Sequence, residues 1–258
     1  AGEVESESRW VVCSALTMTD EMQALCVSDD ADGLKLIPWG GVAARIGHEQ
    51  TLKGAAFSFL PLPVETGLPV HVNGYFEMAD DRERLWTMRD GLEGVAAVKA
   101  QWNQHLISEV LSLCYCKLLT LLAALPHQDA LPLKQFFALW PAETIKPWDG
   151  LVERLYRRVA LERVLPGPEA WLRPLPAGDE QQSGGVLRAE QDAAVQGFMQ
   201  ALFETANTEL TRAGQGVLRV VLPSPVLKLL QDALQALGKA QLRKVDPQLA
   251  RRVLRRSV

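Results

Sequence analysis

The sequence predicts an α+β fold: a small N-terminal mixed sheet followed by a largely helical portion with a short late strand. Three observations carry this. Up to about Met78 the apolar residues fall in short runs broken by Pro and Gly. After Asp80, Val95, Val98, Trp102, Leu106, Val110 and Leu113 recur at helical spacing. A β-rich run, Val217 to Leu222, then returns near the end.

Each element has a local reason. The apolar run Trp10 to Leu16 predicts a strand, and Thr19 or Asp20 caps a short helix after it. Pro38-Trp-Gly-Gly leads into a second strand ending at Ile46, and Gly54 to Leu60 predicts a third. Pro61, Pro63 and Pro69 cannot donate ladder hydrogen bonds, so Pro61 to Pro69 is expected to be a rigid connection or an edge. Pro69 to Met78 predicts a fourth strand. A second apolar stripe, Ile107, Leu111, Cys114, Leu118, Leu121 and Leu125, makes the following helix wide on its apolar side and about 30 residues long. Further helices are predicted over Leu133 to Trp140 and over Trp148 to Leu165, the latter with Leu151, Val152, Leu155 and Val159 inward. Trp171 to Pro176 reads as extended and Ala177 to Gly185 as a Gly-rich loop. Helices are expected at Ala189 to Arg212, Pro225 to Leu237 and Pro247 to Arg256. We divide the chain into a sheet-rich subdomain, residues 1–93, and a predominantly helical one, residues 94–258.

Composition narrows the function. A net charge of −4 lacks the basic footprint of a nucleic-acid binder. The arginines Arg251, Arg252, Arg255 and Arg256 read as a solvated face beside a helix C-terminus. Cys13, Cys26, Cys114 and Cys116 include no Cys-x-x-Cys pair, which suits free thiols in a reducing, cytoplasmic setting. The start, Ala1-Gly-Glu-Val-Glu-Ser-Glu, is acidic where a signal peptide is basic and then apolar, and a segment of a longer polypeptide is expected. No uninterrupted apolar run reaches the ~18 residues of a membrane helix, so membrane insertion is not expected.

Catalytic motifs are missing. There is no Gly-x-x-x-x-Gly-Lys-Ser/Thr loop, no Gly-x-Gly-x-x-Gly and no Gly-x-Ser-x-Gly elbow. His48, His71, His105 and His127 are scattered, with none four residues from another, so no helical metal pair exists. We expect no metal, no cofactor and no enzymatic activity of the chain by itself.

The block Phe57 to Glu77 stands out. Alternation after Pro69 places Val70, Val72 and Phe76 on one face and His71, Asn73, Tyr75 and Glu77 on the other. With Thr66 in the adjoining turn, these form a candidate binding surface; the alternative is a half-solvated sheet face. Asp80 to Trp86 follows, where Arg82 and Arg84 project from a turn anchored by Leu85 and Trp86. Arginines so held can grip a phosphate or carboxylate, although such residues more often make surface ion pairs.

The block Pro38-Trp-Gly-Gly-Val-Ala, the run Phe59-Leu-Pro-Leu-Pro-Val-Glu-Thr-Gly-Leu-Pro-Val-His-Val-Asn-Gly-Tyr-Phe76, Arg82-Glu-Arg-Leu-Trp86 and Trp102-Asn103 closely resemble the repeated region of the sacsin-like family. Leu139-Trp-Pro, Leu155-Tyr156, Trp171 and the Pro225-Val-Leu ending resemble its downstream pattern. The resemblance implies a chaperone-type role in protein quality control within very large multidomain chains. It also implies a segment lying after a nucleotide domain of the GHKL ATPase type. The signatures of that domain are absent here, and Asp30-Ala-Asp-Gly does not match them, so ATP and magnesium are expected only upstream. Where a following domain in GHKL ATPases supplies a basic residue to the terminal phosphate, Arg82, Arg84 and Lys53 are the candidates. The partners implied are neighbouring domains of the same chain and protein clients. The alternative role is a passive scaffold module.

Overall fold

A computed structural model of the chain describes residues 8–47, 52–79, 83–123, 125, 131–143, 145–160 and 224–237. The first strand, β1 (Arg9–Leu16), pairs antiparallel with β2 (Trp39–Ile46), setting Trp10 opposite Arg45 and Leu16 opposite Trp39. Between them α1 (Asp20–Cys26) starts at Thr19, whose hydroxyl accepts a hydrogen bond from the Met22 amide at 3.3 Å. That is the expected cap, and it seats Met22 in the core.

Strands β3 (Ala55–Ser58), β4 (Leu60–Glu65) and β5 (His71–Gly74) complete a sheet of order β1-β2-β5-β3-β4. The β3–β5 pair is parallel and the other pairs are antiparallel, so the sheet is mixed, as predicted. Pro61 and Pro63 both fall in β4, which is an edge strand. Their missing N–H groups therefore remove nothing from an interior ladder. The predicted third strand is broken at Phe59, which turns the chain at a left-handed φ of 60°.

Joining β4 to β5 forces the chain across the start of β3. The Gly54 amide donates to the Leu68 carbonyl at 2.8 Å. The Thr66 hydroxyl donates to the Gly54 carbonyl at 2.9 Å and accepts from the Leu68 amide at 3.1 Å. A Cβ on Gly54 would collide with the carbonyl oxygens of Leu68 and Val70, so this crossing needs glycine for its closeness.

The fourth predicted strand is short because the chain leaves the sheet after Gly74 and is held by the next helix. That helix, α2, runs from Gly94 to Ala123 without a break and includes a π-helical stretch, Leu106–Leu111. The Ser112 hydroxyl donates back to the Ser108 and Glu109 carbonyls, which serves the loosened turn. The helix lies close beneath the sheet. A Cβ on Gly40 would come 2.8 Å from Leu111 Cδ2, and one on Gly74 3.1 Å from Leu106 Cδ2. The Cys114 thiol donates to the Gly40 carbonyl at 3.3 Å. By length and composition α2 is apolar enough to cross a membrane, since only Glu109 and Lys117 divide its long apolar part. In this fold 67% of its most apolar stretch is buried, the state of a core helix.

Three further helices are described: α3 (Leu133–Ala138), α4 (Asp149–Val159) and α5 (Ser224–Ala236). Phe136 and Phe137 of α3 pack with the ring of Trp140. On α4 Leu151, Val152, Leu155 and Val159 are all buried, as their spacing predicts. Just before α4, the Trp148 indole donates to the Glu65 carbonyl at 3.2 Å and meets Phe76 edge to face. On α5, Val226, Leu230 and Ala233 form the buried stripe.

The chain divides into two compact units, residues 1–119 with 128–155, and residues 120–127 with 156–258. The first holds the whole sheet together with most of α2. Five predictions lie outside the described residues: the extended piece at 171–176, the loop at 177–185, the helix at 189–212, the late strand at 217–222 and the helix at 247–256.

Candidate functional site

The two faces of the sheet differ in chemistry because strand side chains alternate. Val42, Ala44, Ala56 and Val72 are buried and, with Gly40 and Gly74, face α2. The opposite, outer face carries Trp10, Val12 and Leu16 of β1, Trp39 and Ala43 of β2, His71 and Asn73 of β5, and Phe57 of β3. The ladder registers align these residues on one side.

Rings on this face form two rows of three. In one, His71 stacks on Trp10 at 5.3 Å with 17° between the planes and meets Phe57 edge to face at 5.4 Å. In the other, Tyr75 meets Phe59 at 4.7 Å and Trp39 at 5.8 Å, both edge to face. The rows exist because β2 offers only Gly41 and Ala43 between them. Such small residues leave room for Trp10 to reach over β2 to His71, two strands away. Each ring pair contributes about 0.5–1.5 kcal/mol beyond its buried area.

His71 also holds the sheet together. Its Nδ1 accepts the Ala55 amide proton at 2.9 Å, tying β3 to β5 where their parallel pairing begins. Partial burial, and secondarily the Arg45 charge, hold its pKa below the ordinary histidine value. The ring is therefore neutral, with Nδ1 as an acceptor. Asn73 sits opposite Gly41, and its side-chain amide engages no partner among the described residues. Phe59 (68% exposed) and Leu60 extend the apolar surface beyond Tyr75.

The structure thus gathers His71, Asn73 and Tyr75 on one surface and separates the other two candidates from it. Thr66 is buried, with its hydroxyl spent on the crossover at Gly54. Glu77 lies past the end of β5, and its carboxylate pairs with Lys99 of α2 at 3.8 Å. Its backbone is clasped by Asn103: the Glu77 amide donates to Oδ1 at 2.8 Å, and Nδ2 donates to the Glu77 carbonyl at 2.7 Å. The same Nδ2 donates to the Trp86 carbonyl at 2.9 Å, so one buried side chain gathers the backbone at Glu77 and at Trp86. Trp102 adds an indole hydrogen bond to the Tyr75 carbonyl at 3.4 Å.

Of the phosphate-sensing candidates, Lys53 is exposed just before β3, and Arg84 is exposed two residues before Trp86. Arg82 lies outside the described residues. Among the described residues no three His, Cys, Asp or Glu side chains converge as a metal site. No disulfide joins the four cysteines, and desolvation pushes the Cys114 thiol up to about 11, which keeps it protonated and unreactive.

Sequence reasoning missed the rings of Trp10, Trp39, Phe57 and Phe59 and the clasp made by Asn103. For the rings, the signal lies in Trp10 and Trp39 each standing near the start of an apolar run, with the small residues Gly41 and Ala43 in the second run. For Asn103, it is an amide interrupting an otherwise apolar helical stripe.

In comparison with known proteins, a 113-residue stretch covering 43% of the chain is 35% identical to sacsin of Homo sapiens, and the match spans 2% of that protein's length. No family model matches the chain. No solved structure matches it either. Over that stretch the chain is sacsin-like.

Proposed function

We propose that this chain is a non-catalytic middle segment of a sacsin-like chaperone acting in cytoplasmic protein quality control. It couples an upstream GHKL-type ATPase domain to domain arrangement or to the binding of protein clients. The observation that carries the contact role is the outer sheet face: two rows of rings, partly exposed, flanked by the exposed Val12, Leu16 and Leu60. A surface rich in exposed aromatic and aliphatic groups marks a protein contact. The similarity to sacsin supports the chaperone setting. ATP and magnesium belong to the upstream domain, and Lys53, Arg82 and Arg84 are the candidates to reach its terminal phosphate.

Coupling is tested by ATP turnover of the upstream domain with and without this chain attached. A rise that Arg84→Ala, Arg82→Ala or Lys53→Ala cancels supports it. Equal turnover in both forms removes it. One observation favours the passive scaffold reading for part of the block: Thr66 and the Glu77 backbone are fully engaged in holding the fold.

A further inference from the structure

We infer that the outer face of the sheet binds a proline-rich segment of another polypeptide in the polyproline II conformation. The inference rests on reading this face as a protein contact, and it adds the class of partner.

The face combines aromatic rings with hydrogen-bond donors. Ser14 lies opposite Gly41, and Gly41 opposite Asn73, so Ser14 and Asn73 stand on this face between the two rows. Within the rows, the neutral His71 spends Nδ1 on the Ala55 amide and keeps its proton on Nε2. Trp10 and Trp39 add indole N–H groups, which only donate, and Tyr75 adds a hydroxyl. Among the described residues no hydrogen bond engages the His71 Nε2–H, the Asn73 amide, the Tyr75 hydroxyl or either indole. Acceptors are scarce: Glu65, at the end of the edge strand β4, is the single carboxylate in the five strands.

That donor excess selects the ligand. A fitting partner brings carbonyl oxygens for the donors, apolar surface for the rings, and few N–H groups of its own. A polyproline II segment meets all three needs. It has no internal hydrogen bonds, so its carbonyls are available, and proline contributes an apolar ring and no N–H. Its conformation is preset, so little freedom is lost when it docks against aromatic rings. An extended strand laid over the face would add amide donors that find no acceptor there. A lone carboxylate would meet the donors and leave the rings bare. Length fits as well: His71 and Tyr75 are four residues apart, at most about 13 Å along an extended chain. About four residues of polyproline II, at about 3.1 Å each, cover that span. Trp10, 41% exposed, and Phe59 give the segment apolar surface at the outer ends of the two rows.

The test uses the chain alone and a fluorescein-labelled probe of about nine prolines, three turns of the polyproline helix. Fluorescence anisotropy is expected to show saturable binding, and a glycine-serine peptide of equal length is expected not to bind. Asn73→Asp keeps the shape and removes the donors, so it is expected to weaken binding about tenfold with an unchanged melting temperature. Phe59→Ser, at an exposed position, is expected to weaken it by about as much. The inference is overturned by absent binding, by equal binding of the glycine-serine peptide, or by binding that both variants leave unaltered. Probe binding gained only in a Pro174→Ser, Pro176→Ser variant also overturns it, by making the chain's own proline-rich stretch the occupant. Self-association that excludes the probe does so by making a second copy the occupant. Suppression of reporter aggregation by a chain that ignores the probe would remove this class of partner and leave the contact reading standing, so the two failures are read separately.

Discussion

His71 does two jobs with one ring: it accepts the Ala55 amide through Nδ1 and stacks on Trp10. Protonation would remove the acceptor, and the depressed pKa records that cost. Because the folded value lies below the unfolded one, the unfolded chain binds more protons between the two. This contribution is therefore complete above the ordinary histidine range and is lost as pH falls through that range toward the folded value. Urea unfolding followed from about pH 7.5 to about pH 5.5 is expected to show this loss, with a shallower pH dependence in His71→Gln. Asn103 is the more stringent case, since removing its amide strips the Glu77 N–H and the Trp86 carbonyl of this partner and leaves the Glu77 carbonyl only the Trp86 amide at 3.2 Å. Asn103→Ala is expected to lose about 2–4 kcal/mol in the same denaturation. The alternation of Val70 to Phe76 was legible in the sequence because a period of two is local. The roles of Thr66 and Glu77 were not, since their partners, Gly54 and Lys99, lie far along the chain.

At the scale of elements, the crossover from β4 to β5 decides the topology. Its tightest point is Gly54, wedged against backbone carbonyls that have no flexible end to yield. Gly54→Ala is expected to lower stability by about 1–3 kcal/mol in thermal or chemical unfolding. Gly40→Ala should cost less, because its closest neighbour is the mobile tip of Leu111. The long α2, the capped α1 and the apolar face of α4 were legible from periodicity and capping residues. The prolines of β4 announced an edge, since each removes a donor. The parallel pairing of β3 with β5 left no local trace, and neither did the left-handed turn at Phe59, a conformation that an aromatic side chain does not advertise.

Across the whole molecule, one face of the sheet is closed by α2 while the other presents rings to solvent, and this asymmetry is the basis of the proposed role. The sequence already displayed the sacsin-like block that builds β4, the crossover and β5. It did not display the outer surface, which draws Trp10, Trp39 and the pair Phe57 and Phe59 from three separate segments. The measurement that tests the account most directly is suppression of aggregation of a heat-unfolded reporter enzyme by this chain. The comparison is a variant carrying Trp10→Ser, Val12→Ser and Phe59→Ser, with its melting temperature measured alongside. The account predicts that the native chain suppresses aggregation and that the variant, still folded, does not. Equal suppression by the two chains, or none by either, would contradict the assignment of the outer face as the working surface.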